Sequence, residues 1–467
     1  MQPVLRLWSL RLRFFRNHRA RVFVILGKMH PIFSWSWVES QSALAAQDWH
    51  SCAGRSLPRA PFYAPLEQRR REQAFDGCLR AVEQELHAPP RTQADRAAFQ
   101  ERLVAAFSRF AAAALDLEPS AIELITHGFL PAGAEFARRS RHFDSALTMS
   151  EIVQACRNAW TVYGLQPLLG EPSRITPSIV GYSLLYPYTD NDLDRTDVSA
   201  QAKRSFCARF RQRLRGEGLP AQNHREAAIW ALVAMIESQY PRAQYPQVFD
   251  SLLAIHQAQE ESIAQLGPGL IDGRASTCDK VLRISCAKGG SSVLVDACLA
   301  QGWLNQQESQ AAFAWGALLQ LGDDLQDIHE DLRRGSATLF TLAAAEGIPL
   351  DSLVAQLLHF SQHAGAELDR FPAGTAALKD LLRMSWRSLI VAAVASAPEF
   401  FSSAFLRELE RSSPFRFAFL RSRHRKLASR RGLCAAVFSA LIEAPETGET
   451  LPLTMDRCLV SPVAYPG

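Results

Sequence analysis

The sequence predicts an all-α protein, a helical bundle around a central apolar cavity with an acidic mouth. Three observations predict it. Residues 305–335 and 176–197 each join an uncharged helical run to a terminal cluster of carboxylates. Apolar residues recur at helical spacing from residue 63 onward. Nowhere do several short alternating strands follow one another between hairpin turns.

The 467 residues, 48% hydrophobic and 21% charged, suit one large domain or two ordinary ones. Residues 1–28 hold six arginines and Lys28 without an acid, and taking those seven charges from the net +4 leaves −3 for the remainder. That balance argues against a polyanion binder, so no nucleic-acid partner is expected. Nine cysteines form neither a C-x-x-C pair nor a cluster with histidine. Such usage favours a reducing, cytoplasmic setting and argues against structural zinc.

Taken in order, residues 1–60 read as a basic N-terminal extension, either disordered or assigned from too early a start, with Met29 as the alternative start. A membrane-surface helix or a targeting leader is the competing reading. The longest apolar run there, Val22 to Leu26, is too short for a bilayer, so no integral membrane segment is expected. Residues 61–445 form the all-α domain and 446–467, with Pro452, Pro462 and Pro466, a tail. Two helices between residues 63 and 117 are separated at His87-Ala-Pro-Pro-Arg91, and another covers 150–160. In the helix from residue 176, Pro177 suits the first turn and Pro187 predicts a kink before the acidic cluster. Helices follow at 200–216, 226–239 and 248–265. Lys288-Gly-Gly-Ser-Ser292 predicts a break or bend that exposes amide N–H groups to an anion, which Lys288 would meet. The seven Lys/Arg residues of 416–431 read as a solvated helix face.

Residues 305–335 predict one long helix with an Asn305/Glu308 capping box and a Gly335 stop. Leu318, Leu321, Leu325, Ile328 and Leu332 form its packing stripe. Asp323, Asp324, Asp327 and Asp331 gather on the other side, below uncharged Phe313, Gly316 and Gln320. Upstream, Asp190, Asp194 and Asp197 share a projected face with Ser183 and Tyr186. Each uncharged run of fourteen residues spans roughly 20 Å as helix, a depth that suits a long apolar chain.

Aspartates at i and i+4 stand on adjacent turns and can share a hard cation. Two such clusters face to face would hold a diphosphate through magnesium. A lone D-D-x-x-D is more simply an exposed acidic patch; two clusters, each preceded by an uncharged run, weigh against that. A calcium loop fits Asp190, Asp192 and Asp194 but then meets Arg195 at the required glycine and Gln201 at the required glutamate. No nucleophile elbow, P-loop or dinucleotide fingerprint is present.

These residues resemble the class I isoprenoid synthases, the all-α family that includes trans-prenyltransferases and class I terpene synthases. Gln320-Leu-Gly-Asp-Asp-Leu-Gln-Asp327 is similar to the family's second aspartate-rich motif, and Asp190-Asn-Asp-Leu-Asp194 resembles the first, 133 residues earlier at Asp190. The resemblance covers about residues 101–397 and makes residues 61–445 the catalytic domain. It implies magnesium, or manganese, held by Asp190, Asn191 and Asp194 on one side and Asp323, Asp324 and Asp327 on the other. Asp190, Asp194, Asp323 and Asp327 would be catalytic, Lys288 and Arg334 would bind the leaving diphosphate, and Tyr182, Tyr186, Phe313 and Trp315 would line the cavity or pack in the core. The implied partner is an isoprenyl diphosphate, and the resemblance admits a homodimer.

No G-G-K-R-like segment precedes the first motif, Ser336 stands where prenyltransferases often carry lysine, and only Arg195 follows the first motif. These departures favour a terpene synthase acting on one linear isoprenyl diphosphate. The alternatives are a trans-prenyltransferase, in which Tyr186 implies short products, and a non-catalytic subunit of the same fold.

Overall fold

The structure is a computed structural model that describes residues 31–87, 90, 92–193, 199–265, 274–429, 436–437 and 439–440. Its elements run α1 (Trp35–Ser51), α2 (Pro65–His87), α3 (Gln93–Leu115), α4 (Pro119–Glu123), a π-helical segment (Leu124–Phe129), α5 (Leu130–Phe143), α6 (Met149–Leu168), α7 (Pro177–Leu193) and α8 (Ala200–Leu214). Then come α9 (His224–Gln239), α10 (Pro246–Ser262), α11 (Arg274–Gln301), α12 (Gln306–Gln326), α13 (Ile328–Arg334) and α14 (Leu339–Ala345). The last are α15 (Asp351–Glu367), α16 (Ala376–Ser396), α17 (Ser403–Glu410) and α18 (Phe417–Ser429). The described residues contain no β-strand, and the protein is all-α. Among them, no helix is long and apolar enough to cross a membrane.

Local chemistry sets the helix ends. Asn305 accepts from the Glu308 N–H at 3.0 Å while Glu308 accepts from the Asn305 N–H at 2.8 Å, which closes the capping box at the start of α12. Gly335, at φ +70°, ends α13 in the left-handed conformation that glycine adopts without strain. Helix α7 starts at Pro177 and continues through Pro187, and Arg225 of α9 donates to the Tyr188 carbonyl at 3.0 Å.

Helix α11 is the central strut, with α12, α10, α1 and α6 packed around it. Leu282, Cys286, Leu294, Val295, Ala297 and Cys298 along it are wholly buried. The break predicted at residues 288–292 does not occur: α11 is continuous from Arg274 to Gln301. The glycines there serve a crossing. A Cβ on Gly289 would lie 2.2 Å from the Gly316 carbonyl oxygen, and one on Gly290 would lie 2.5 Å from the Phe313 ring. Since the helix persists, its amides remain in the helical ladder rather than facing an anion.

Three other expectations are corrected. The single helix over 305–335 is two, because Asp327 adopts φ −93°, ψ 11° between α12 and α13, a bridge conformation outside the helical region. The extension assigned to residues 1–60 is not wholly peripheral: α1, capped by Ser34, buries Val38, Ala45, Ala46 and Trp49. Trp49 belongs to the buried stripe of α1, Val38, Ser42, Ala45, Ala46 and Trp49, which packs on α11, α12 and α15, whereas Trp35 and Trp37 are half-buried beside it. Residues 1–30 and the tail at 446–467 lie outside the described residues. The basic run also does more than meet solvent, since Arg416 bonds Glu72 and Arg423 bonds Asp76, both on α2.

Candidate functional site

A cavity of about 340 Å³ opens among α6, α7, α8, α10, α11, α12 and α16. Gly316, Leu319, Gln320 and Asp323 face it from α12, and Asp327 joins them just beyond. Those positions advance by three, one, three and four, one helical face that ends in two carboxylates. From α11 come Lys288, Ser292, Val293 and Asp296, again one face. Residues Tyr182, Leu185 and Thr189 of α7 complete the opposite wall.

At the rim, an Arg157 Nη atom donates to Asp323 Oδ1 at 2.9 Å. Asp327 has its pKa raised by partial desolvation and by the charges of Asp323 and Glu330. Asp331 is pushed up to about 6 by burial and by the Asp327 charge, with Lys288 and Arg334 opposing. Crowded carboxylates of this kind repel one another, and a cation beside them relieves that repulsion.

Asp324 behaves differently from its expected partners. It is wholly buried between helices, where Gln320 donates to one oxygen and Ser285 of α11 to the other, both at 2.8 Å. Burial raises its pKa to about 6 against those hydrogen bonds. Asp324 therefore ties α12 to α11 and is absent from the cavity lining. One residue of helical rotation, about 100°, separates its direction from that of Asp323.

The candidate aromatics divide. Tyr182 lines the cavity, its hydroxyl 3.4 Å from the Ser292 carbonyl oxygen. Phe313 instead packs edge-on to Trp37 at 5.7 Å and against Gly290, and Trp315 packs beside Trp386 at 5.3 Å. Neither lines the cavity, because both point from α12 into its packed neighbours. Arg334 pairs with Glu330 at 2.5 Å and is likewise not among the lining residues.

Asp190 and Asn191 sit in the last turn of α7, but their side chains and that of Tyr186 lie outside the described set, as does all of Asp194. Ser183, expected on their face, is wholly buried and does not line the cavity; the cavity face of α7 carries Tyr182, Leu185 and Thr189.

Sequence reasoning missed Arg157, Phe210, His256 and Asp296, all of which line the cavity. Arg157 belongs to a polar stripe of α6, Gln154, Arg157, Asn158 and Thr161, whose i, i+3, i+4, i+7 spacing was the available signal. With that stripe as one wall, the cavity is not the purely apolar well that the sequence predicts. His256 bonds the Cys207 carbonyl oxygen at 3.0 Å, and burial pushes its pKa down against the charge of Glu260. Asp296 is fully buried, and its Oδ1 has no hydrogen-bond partner among the described residues.

Among the described residues, no three His, Cys, Asp or Glu side chains form a metal-ligand cluster. The two rim carboxylates nevertheless fit one face of a hard cation that takes its other ligands from water and a bound phosphate. No known family model matches this chain, and no characterised protein matches it either.

Proposed function

We propose that the protein is a magnesium-dependent enzyme of the class I isoprenoid synthase type, which ionises a linear isoprenyl diphosphate as a terpene synthase does. The observation that carries this reading is the convergence of Asp323, Asp327, Lys288 and Arg157 on the mouth of one cavity. Asp323 and Asp327 would hold magnesium, which when bound supplies positive charge to the diphosphate oxygens. Lys288, which forms no ion pair with a described residue, and Arg157 would face the same oxygens. The Arg157–Asp323 pair is exposed and worth under about 1 kcal/mol, so Arg157 can exchange Asp323 for a phosphate.

Heterolysis of the carbon–oxygen bond gives its electron pair to the diphosphate and leaves an allylic cation among Tyr182, Phe210, Leu185 and Leu252. Tyrosine and phenylalanine faces attract a cation. Loss of a proton, or capture of water with loss of a proton, then gives a hydrocarbon or an alcohol.

Incubation with geranyl, farnesyl or geranylgeranyl diphosphate alone, with magnesium, tests the reading. A product lacking diphosphate is expected from at least one of them. Turnover that requires isopentenyl diphosphate, with longer diphosphates appearing, would establish the prenyltransferase instead, and no turnover under either condition would contradict both.

A further inference from the structure

Asp296 lies at the end of the cavity away from the rim. Contacts between Ser285 and Asp324 and between Gly290 and Phe313 make α11 and α12 antiparallel. Asp296 follows Ser285 by eleven residues, so it lies roughly 16 Å along the axis from the level of Asp324. There it lines the cavity with 1% of its surface exposed, no partner for Oδ1 among the described residues, and Ser292 one turn nearer the rim. Burial holds its pKa well above the ordinary carboxylate range, and no basic side chain among the described residues opposes that shift.

A hydrocarbon tail in contact with this group would leave a buried polar atom unsatisfied, an arrangement that native proteins largely avoid. We propose that Asp296 is a specificity-determining residue whose carboxyl group donates a hydrogen bond to a neutral oxygen, a hydroxyl, carbonyl or ether, on the distal end of the ligand. The inference rests on the reading of the rim as the diphosphate end. It narrows the ligand class to an amphiphile with an anionic head and an oxygenated tail.

Calorimetric titration with two matched unreactive probes tests it: farnesyl thiolodiphosphate, and farnesyl thiolodiphosphate bearing a hydroxyl on its terminal methyl group, both with magnesium. The wild type is expected to bind the hydroxylated probe about tenfold more tightly, the scale of one net hydrogen bond. Asp296→Leu is expected to abolish that preference, and Asp296→Asn, which keeps a donor, to retain it. Melting temperatures establish that both variants fold. Equal affinities in the wild type, or an unchanged preference in Asp296→Leu, would overturn the proposal. The corresponding alcohols, farnesol and its terminally hydroxylated form, separate this from the rim. If the thiolodiphosphates bind no better than the alcohols, the diphosphate reading fails, whereas an Asp296-dependent preference between the two alcohols upholds the oxygen site alone.

Discussion

Asp296 and Asp324 are both wholly buried on neighbouring helices, yet only Asp324 has hydrogen-bond donors on both oxygens. The difference makes Asp296 a local liability in the absence of a ligand. Its folded pKa is raised above the ordinary 3.8, so the folded state holds a proton that the unfolded state has released. Below about pH 4 the group adds no pH dependence to stability; as pH rises above that value, stability falls at up to about 1.4 kcal/mol per pH unit until the folded pKa is passed. Asp296→Asn removes this dependence. Thermal melts of the two proteins are therefore expected to diverge between pH 4 and neutrality, the variant becoming the more stable; parallel melting curves would show that Asp296 has a partner in the folded state.

At the level of elements, the Gly289–Gly316 contact sets how closely α11 and α12 approach, and hence the position of Lys288 relative to Asp323. A Cβ on Gly316 would lie 2.0 Å from the Gly289 carbonyl oxygen, and backbone cannot swing aside as a side chain can. Gly316→Ala is expected to lower stability by about 1–3 kcal/mol in urea denaturation, although alanine favours an isolated helix. A gain in stability would mean that the helices are not so tightly crossed. The same glycines show what the sequence makes legible. The capping box at Asn305, the stop at Gly335 and the end of one helix at His87 before the next begins at Gln93 depend on neighbours in sequence and were readable. The role of Gly289 and Gly290 depends on a helix more than twenty residues away, so the pair reads locally as a bend.

For the whole molecule, the all-α class followed from helical periodicity and the lack of alternating strand patterns, and the cavity face of α12 from the step between Gly316, Gln320 and Asp323. The opposite walls were hidden. Arg157 and Asp296 carry no motif, and only the tertiary arrangement of α6, α11 and α12 brings them to one cavity. Phe313 and Trp315 read equally well as core or lining, and packing against Trp37 and Trp386 decides for the core. The proposed function depends on a rim that grips a diphosphate through a divalent cation. It is tested most directly by calorimetric titration of the unreactive farnesyl thiolodiphosphate into the wild type and into Asp323→Asn and Asp327→Asn, each with magnesium and with EDTA. Binding to the wild type is expected to need magnesium and to fall at least tenfold in either variant. Melting temperatures are expected to be nearly unchanged or raised, because Asp323 makes an exposed ion pair and Asp327 is crowded by the Asp323 and Glu330 charges. Equal binding by all three proteins, or binding that survives EDTA, would contradict the proposed function.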